Sequence, residues 1–143
     1  MTVKIKLLDG GKMPEFKHDG DACADCYARI DDDKEITVPK GERMLVPLGF
    51  AIGLEKGWEA QVRPRSGLSL KGIDVALGTV DAGYTGEVKV CVINNSESDV
   101  TIFGGDRICQ LAVRKIPEIR FEQTDELQET ERGADGFGST GTR

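Results

Sequence analysis

Apolar and polar residues along this chain change over in short bursts and show almost none of the three-to-four-residue rhythm of a helix. Glu87-Val88-Lys89-Val90-Cys91-Val92 alternates with period two, as a strand with one buried face does, while Met44-Leu45-Val46-Pro47-Leu48 is a continuous apolar run. Turn-bounded segments of this kind predict strands over Val3 to Leu8, Glu35 to Pro39, Arg43 to Leu54, Trp58 to Arg63, Glu87 to Ile93, Val100 to Phe103, Arg107 to Ile116 and Arg120 to Gln123. The exception is Ser66 to Gly72, where Ser66 is expected to cap one or two helical turns that Gly72 ends. Many short strands at such spacing predict an all-β domain, whether sandwich, jelly roll or small barrel.

Past Pro117 the composition turns polar. Thr124 to Glu131 reads as a linker that leads into the glycine-rich tail Arg132-Gly-Ala-Asp-Gly-Phe-Gly-Ser-Thr-Gly-Thr-Arg143. A tail of this kind cannot build a core, so the expected organisation is one domain over residues 1–123 and an arm over 124–143. Extended at roughly 3.4 Å per residue, the arm spans tens of ångströms, far beyond the gyration radius of about 15 Å for a domain of this size. It is long enough to reach a neighbouring subunit or to fold back on its own. The glycines free backbone N–H groups to wrap an anion, Arg132 pairs with phosphate, Ser139 and Thr140 offer hydroxyls, and Phe137 offers a flat apolar face. That composition fits a flap over a phosphorylated aromatic ligand, and it equally fits a frayed, solubilising terminus.

Charge narrows the partners. With 143 residues, 25 acidic side chains against 19 basic ones and a net charge of −6, the chain suits neither a nucleic-acid coat nor an anionic membrane surface. No apolar run approaches the roughly 20 residues of a spanning helix, and the first residues lack a signal-peptide pattern, so a cytoplasmic protein is expected. The Cys23-x-x-Cys26 pair lacks a second close pair, Cys91 and Cys109 lie far apart, and His18 is the single histidine. A zinc or thioredoxin-type site is therefore disfavoured against free thiols, buried or half-buried.

Four segments carry candidate chemistry. Gly78-Thr-Val-Asp-Ala-Gly-Tyr-Thr-Gly-Glu87 predicts a β-hairpin whose tip is held by Gly83 and Gly86. There the Asp81 carboxylate is suited to orient and deprotonate a water, and the Tyr84 ring to pack on a sugar. Alone, the segment also fits an aspartate capping its own turn and a tyrosine closing the core. Arg63-Pro-Arg-Ser-Gly-Leu68 ends a strand and opens the short helix, which aims backbone N–H groups, the Ser66 hydroxyl and Arg65 at one spot suited to an anion. In Gly105-Asp-Arg-Ile-Cys-Gln110, Asp106 is placed to pair with an arginine and Gln110 to donate an amide N–H. Asp25, flanked by small residues, suits either a metal's water shell or a turn.

The order and spacing of these segments resemble the trimeric deoxyuridine triphosphate nucleotidohydrolases, the dUTPase family. Five family motifs occur in sequence: the Asp25 segment, Pro64-Arg-Ser-Gly-Leu68, Gly78 to Glu87, Gly105 to Gln110, and Arg132 to Gly141. The resemblance implies a β-clip jelly-roll subunit in a homotrimer, with three interface sites each closed by a glycine-rich arm. The implied reaction is hydrolysis of dUTP to dUMP and pyrophosphate with Mg²⁺ on the triphosphate, which keeps uracil out of DNA and supplies dUMP for thymidylate synthesis. It assigns water activation to Asp81, the deoxyribose to Tyr84, and the uracil edge to the backbone around Gly78, Thr79, Val80 and Lys89. It gives the phosphates to Arg65, Ser66, Gly67 and Gln110, with Asp106 orienting Arg65. Arg132, Ser139 and Thr140, with Gly138 among them, would meet the γ-phosphate and Phe137 would stack on uracil, while Asp25 would reach the metal through water. Two departures stand out: Cys23 and Cys26 replace the Gly and Leu usual in the first motif, and Val75 stands where many bacterial members carry Asn. The competing readings are a dCTP deaminase of the same fold and a nucleotide-switched binding protein.

Overall fold

Eleven short strands and one helical turn make up the regular structure of the described residues, 2–134 and 136, in the computed structural model. The largest sheet has the order β2-β11-β6-β8, from Ala24–Tyr27, Arg107–Lys115, Trp58–Arg63 and Gly78–Val80. A second sheet, β4-β9-β7, joins Arg43–Pro47, Lys89–Asn94 and Ile73–Val75. Two ribbons complete the set: β1 (Lys4–Leu7) on β5 (Phe50–Gly53), and β3 (Glu35–Val38) on β10 (Val100–Phe103). Every pairing among these strands is antiparallel, so the all-β expectation is met.

The two main sheets send their inward residues into one core. Val62, Leu111 and Cys109 of the larger sheet meet Val46, Val90 and Val92 of the smaller, with Phe50 and Leu48 between them. Each such side chain contributes about 1.5–3 kcal/mol by leaving water. One polar group joins them: Asn94, fully buried, donates to the carbonyls of Val38 (2.9 Å) and Ser98 (2.8 Å) and accepts from the N–H of Ser96 (3.0 Å). It ties the end of β9 to β3 with no unmet hydrogen bond.

Several expectations are corrected. Arg43 to Leu54 is two strands, because the chain turns at Gly49 (φ 75°), where an added Cβ would lie 2.5 Å from the Gly11 Cα. Only glycine permits that approach. Gly78 to Glu87 is not a hairpin: β8 pairs with β6 and β9 with β4 and β7, so the segment crosses between sheets. Neither Gly83 nor Gly86 adopts a positive φ there. Ser66 does not cap the helix α1 (Ser66–Ser69); Arg65 holds the cap position without a side-chain hydrogen bond, while Gly72 (φ 80°) ends the turn as expected. Arg120 to Gln123 forms no strand, and Phe121 is fully exposed. The strands β2 and β7 had no forecast.

Candidate active site

The residues singled out in sequence gather in two separate places on the protomer. A cavity of roughly 350 Å³ lies where β8 runs into the crossing loop, walled by Gly78, Thr79, Val80, Asp81, Tyr84 and Lys89, with Val62 and Leu45 beneath. Strand β8 ends its sheet: one edge pairs with β6 (Val62↔Gly78, Ala60↔Val80), and the other has no strand partner. Its free backbone N–H and C=O groups are a template for a flat heterocycle bearing complementary donors and acceptors.

The loop holds Tyr84 at both ends. Its N–H donates to the Asp81 carbonyl (3.0 Å), closing a turn, and its hydroxyl donates to the Glu87 carbonyl (2.9 Å). A Cβ at position 86 would sit 2.6 Å from the Tyr84 Oη, so glycine there lets the ring lie flat on its own loop. The ring keeps 46 % of its surface open to solvent. Asp81 is exposed, and among the described residues no hydrogen bond or ion pair engages its carboxylate.

Glu87 anchors the far end of the loop. Arg29 grips it bidentately, Nε at 2.7 Å and Nη2 at 3.0 Å, and the Gly49 N–H adds a third bond at 3.0 Å. The Arg29 hydrogen bonds hold the Glu87 carboxyl below its ordinary value, against burial, with help from Gly49. A depressed native pKa gives stability that is full above the unfolded value near 4.3 and lost as pH falls through the native one. Replacing Glu87 with glutamine should therefore cost about 2 kcal/mol at pH 7, from lost charged hydrogen bonds. The deficit should shrink below about pH 4.5, as urea melts at pH 3.5 and 7 would show; an equal deficit at both would remove the ionic role. The chain carries the pair's partners 58 positions apart, beyond any periodic signal.

A second cavity, roughly 630 Å³, opens over Asp25, Arg65, Arg107 and Gln110, with Lys17 and His18 on its rim. Three adjacent strands build it. In β2 Asp25 faces Gln110 of β11, which on its other side faces Arg63 of β6, two residues before Arg65. The Asp25 carboxylate is buried and receives Arg107 Nη1 and Gln110 Nε2, each at 3.1 Å, with Arg65 Nε at 3.6 Å. Arg65 also donates to the Arg107 carbonyl at 2.5 Å. Two guanidiniums share one carboxylate, which leaves the hub around Asp25 with one cation in excess and suited to phosphate, while Glu15 and Asp21 on the lining balance the charge of the whole cavity. Ser66 and Gly67 lie exposed at the start of α1, and a Cβ on Gly67 would touch nothing within 4 Å.

Two assigned roles change. Asp106 accepts from the Phe103 N–H (2.9 Å) and caps its own turn, so within the protomer Asp25, not Asp106, steadies Arg65. Both Asp25 oxygens already face nitrogen donors, and among the described residues no group of three His, Cys, Asp or Glu side chains is placed to hold a metal. The residues present do not fit a metal bound directly to Asp25, whose expected contact runs through water. Arg107, the second cation on Asp25, had no assigned role; its signal was a charged residue opening a strand whose next positions are apolar. Arg132 lies in a turn, whereas Phe137, Gly138, Ser139 and Thr140 fall outside the described residues. The two cavities share no lining residue.

Comparison with known proteins supplies a common frame for the halves. The dUTPase family model matches residues 9–141. Among curated proteins, the deoxyuridine 5'-triphosphate nucleotidohydrolase of Maricaulis maris is 44% identical, over 100% of this chain and 98% of its own length. That of Rickettsia bellii is 46% identical, over 97% and 95%. Among solved structures, the Staphylococcus bacteriophage 80alpha dUTPase with dUPNHPP aligns with a TM-score of 0.90 and 26% identity, covering 99% of each chain. The strand arrangement described above is thus the family's jelly roll, and the chain belongs to the dUTPase family.

Proposed function

We propose that this protein hydrolyses dUTP to dUMP and pyrophosphate, with Asp81 as the base that activates water. The observation that carries the reading is the Asp81 carboxylate, uncommitted at the mouth of a cavity walled by an edge strand and an anchored tyrosine. Uracil sits against the free edge of β8 at Gly78, Thr79 and Val80, beside Lys89. Cytosine presents donor and acceptor in exchanged places and leaves backbone groups unpaired, a mismatch that costs more than a lost contact. Tyr84, fixed at both ends, lies under the deoxyribose and leaves no space for a 2′-hydroxyl.

Water polarised by Asp81 attacks the α-phosphorus in line; its proton passes to the carboxylate, and the bond to the bridging oxygen breaks to release pyrophosphate. Arg65, Ser66, Gly67 and Gln110 hold the departing phosphates, with Arg107 behind them on Asp25. Such chemistry needs chiefly positioning and charge neutralisation. Magnesium carried by the substrate would add charge neutralisation on the triphosphate, and among the described residues none is grouped to ligate it directly.

Because base pocket and phosphate cavity are separate in one protomer, the working site joins surfaces of neighbouring subunits in a homotrimer. Exposed apolar side chains on β4 fit such contacts: Met44 and Leu45, which as strand neighbours point to opposite faces, are 41% and 60% exposed. No helix among the described residues is long and apolar enough to cross a membrane, and four free thiols suit the reducing cytoplasm.

A deaminase reading fails on Glu87. It is the single glutamate lining the base cavity, and its bidentate hold by Arg29 leaves it unfit to shuttle protons at a pyrimidine C4. Pyrophosphate release from dUTP, dTTP, dCTP and UTP with Mg²⁺ tests the assignment. The expected preference for dUTP is at least about 10³-fold over dCTP, the size of a hydrogen-bond mismatch in a dry site, with UTP turned away by the Tyr84 ring at its 2′-hydroxyl; comparable rates would refute it.

A further inference from the structure

The core holds two thiols for which the hydrolysis has no use. Cys26 of β2 and Cys109 of β11 are direct register partners, and both are fully buried. Opposed residues of antiparallel strands point to the same face with Cα atoms about 4.5 or 5.5 Å apart, inside the window of about 4.4–6.8 Å that a disulfide spans. Neither remaining cysteine has such a partner: Cys91 faces Leu45, and Cys23 precedes β2.

The pair next along the same two strands is Asp25 and Gln110, the centre of the phosphate cavity. On the far side the register slips between Arg107 and Cys109, so Arg107 reaches Asp25 from across a bulge. Strand β2 lies at the end of its sheet, and its outer edge carries an isolated bridge between Glu15 and Asp25. An end strand of four residues is held by a single neighbouring strand, so it opens and shifts at lower cost than the strands inside the sheet.

We propose that Cys26 and Cys109 are a modification site, a dithiol that disulfide-exchange oxidants convert to a cross-strand disulfide, and that the bond weakens triphosphate binding at Asp25. In the closed sheet the Cys109 thiol and burial push the Cys26 thiol up, so the exchange starts when β2 opens. Cys26 then loses its proton to solvent, and its thiolate attacks a small-molecule disulfide such as oxidised glutathione and expels one thiol. Cys109 then attacks the Cys26 Sγ and expels the second, so two protein thiols are oxidised and one disulfide is reduced to two thiols. The Cα spacing already suits the bond, but joining the sulfurs at about 2.05 Å fixes the separation and mutual twist of β2 and β11 at this pair. That constraint re-sets β2 and carries Asp25 with it, while Arg107 and Gln110 stay on β11 and Arg65 on the segment after β6. The 3.1 Å hydrogen bonds of the hub are the ones displaced.

The test treats the full chain with oxidised glutathione, in buffer and in sub-denaturing urea, then alkylates, digests without reductant and maps linked peptides by mass. The expected product is a Cys26–Cys109 cross-link with Cys23 and Cys91 alkylated. KM for dUTP should rise about tenfold, the weight of one charged hydrogen bond, and return on addition of dithiothreitol. Cys109→Ala should lose the response to oxidant and Cys91→Ala should keep it; if Cys109→Ala fails to fold, the peptide map of the unaltered chain still decides. No Cys26–Cys109 cross-link in either condition, or a cross-link with unchanged KM, overturns the proposal.

Discussion

Replacing Asp81 with asparagine is expected to lower kcat for dUTP by about 10³-fold, the usual weight of a positioned general base. The structure makes this substitution clean. Asp81 gives its carboxylate to no other described residue, so an amide of the same shape breaks no internal hydrogen bond. The turn it opens depends on its backbone carbonyl, which accepts from the Tyr84 N–H at 3.0 Å and remains in the variant. Thermal stability should thus hold to within about 0.5 kcal/mol, as for exposed sites without special contacts. Binding of a non-hydrolysable dUTP analogue should also hold, since the amide still packs where the carboxylate did. A fall in kcat with unchanged ground-state affinity is the signature of an interaction made in the transition state. Single-turnover pyrophosphate release with calorimetric binding measures both, and a kcat within tenfold of the parent would remove Asp81 from the chemistry.

How much of this was legible before the structure depended on whether the information was local. Strands β6 and β10 match the expected limits residue for residue, because alternation and flanking turn residues lie within a few positions of one another. The crossing loop failed as a hairpin for the opposite reason. Glycine, aspartate and tyrosine between two apolar runs look alike whether the runs pair with each other or with strands of different sheets, and β8 and β9 choose different sheets. Strand β2 was missed because its second residue is Asp25, and a buried aspartate breaks the apolar alternation that marks a strand. That aspartate is buried because Arg107 and Gln110, more than 80 positions later, supply its partners. The Arg29–Glu87 clamp is hidden in the same way. Family motifs named Asp81, Tyr84, Arg65 and Gln110, and Tyr84 is held by carbonyls three positions away, yet what fixes Arg65, Gln110 and the end of the crossing loop is written in long-range pairs.

Deleting residues 132–143 should lower kcat/KM for dUTP by about 10²–10³-fold while leaving the fold and its melting unchanged. The second half of that expectation follows from burial. Among the described residues the last buried one is Ala112, and beyond β11 Ile119, Phe121 and Leu127 are 64%, 100% and 87% exposed. Among the described residues of the arm, none adds a buried side chain to the core. The first half rests on the proposed roles of the arm: truncation would take Arg132, Ser139 and Thr140 from the triphosphate, Phe137 from the base, and the cover that would keep bulk water from the α-phosphorus. From Ile116 to Glu131 the chain can extend about 50 Å at roughly 3.4 Å per residue, ample to cross to a neighbouring subunit. If the arm closes in trans, chains bearing Asp81→Asn and chains lacking 132–143 complement each other. Unfolded together and reassembled, they should form mixed trimers in which an intact Asp81 from one chain meets an intact arm from another. Turnover above that of either parent, with light scattering confirming the trimer, is the expected result. No gain over the parents in verified mixed trimers would place the arm over its own protomer, and unchanged turnover after truncation would deny it a part in catalysis.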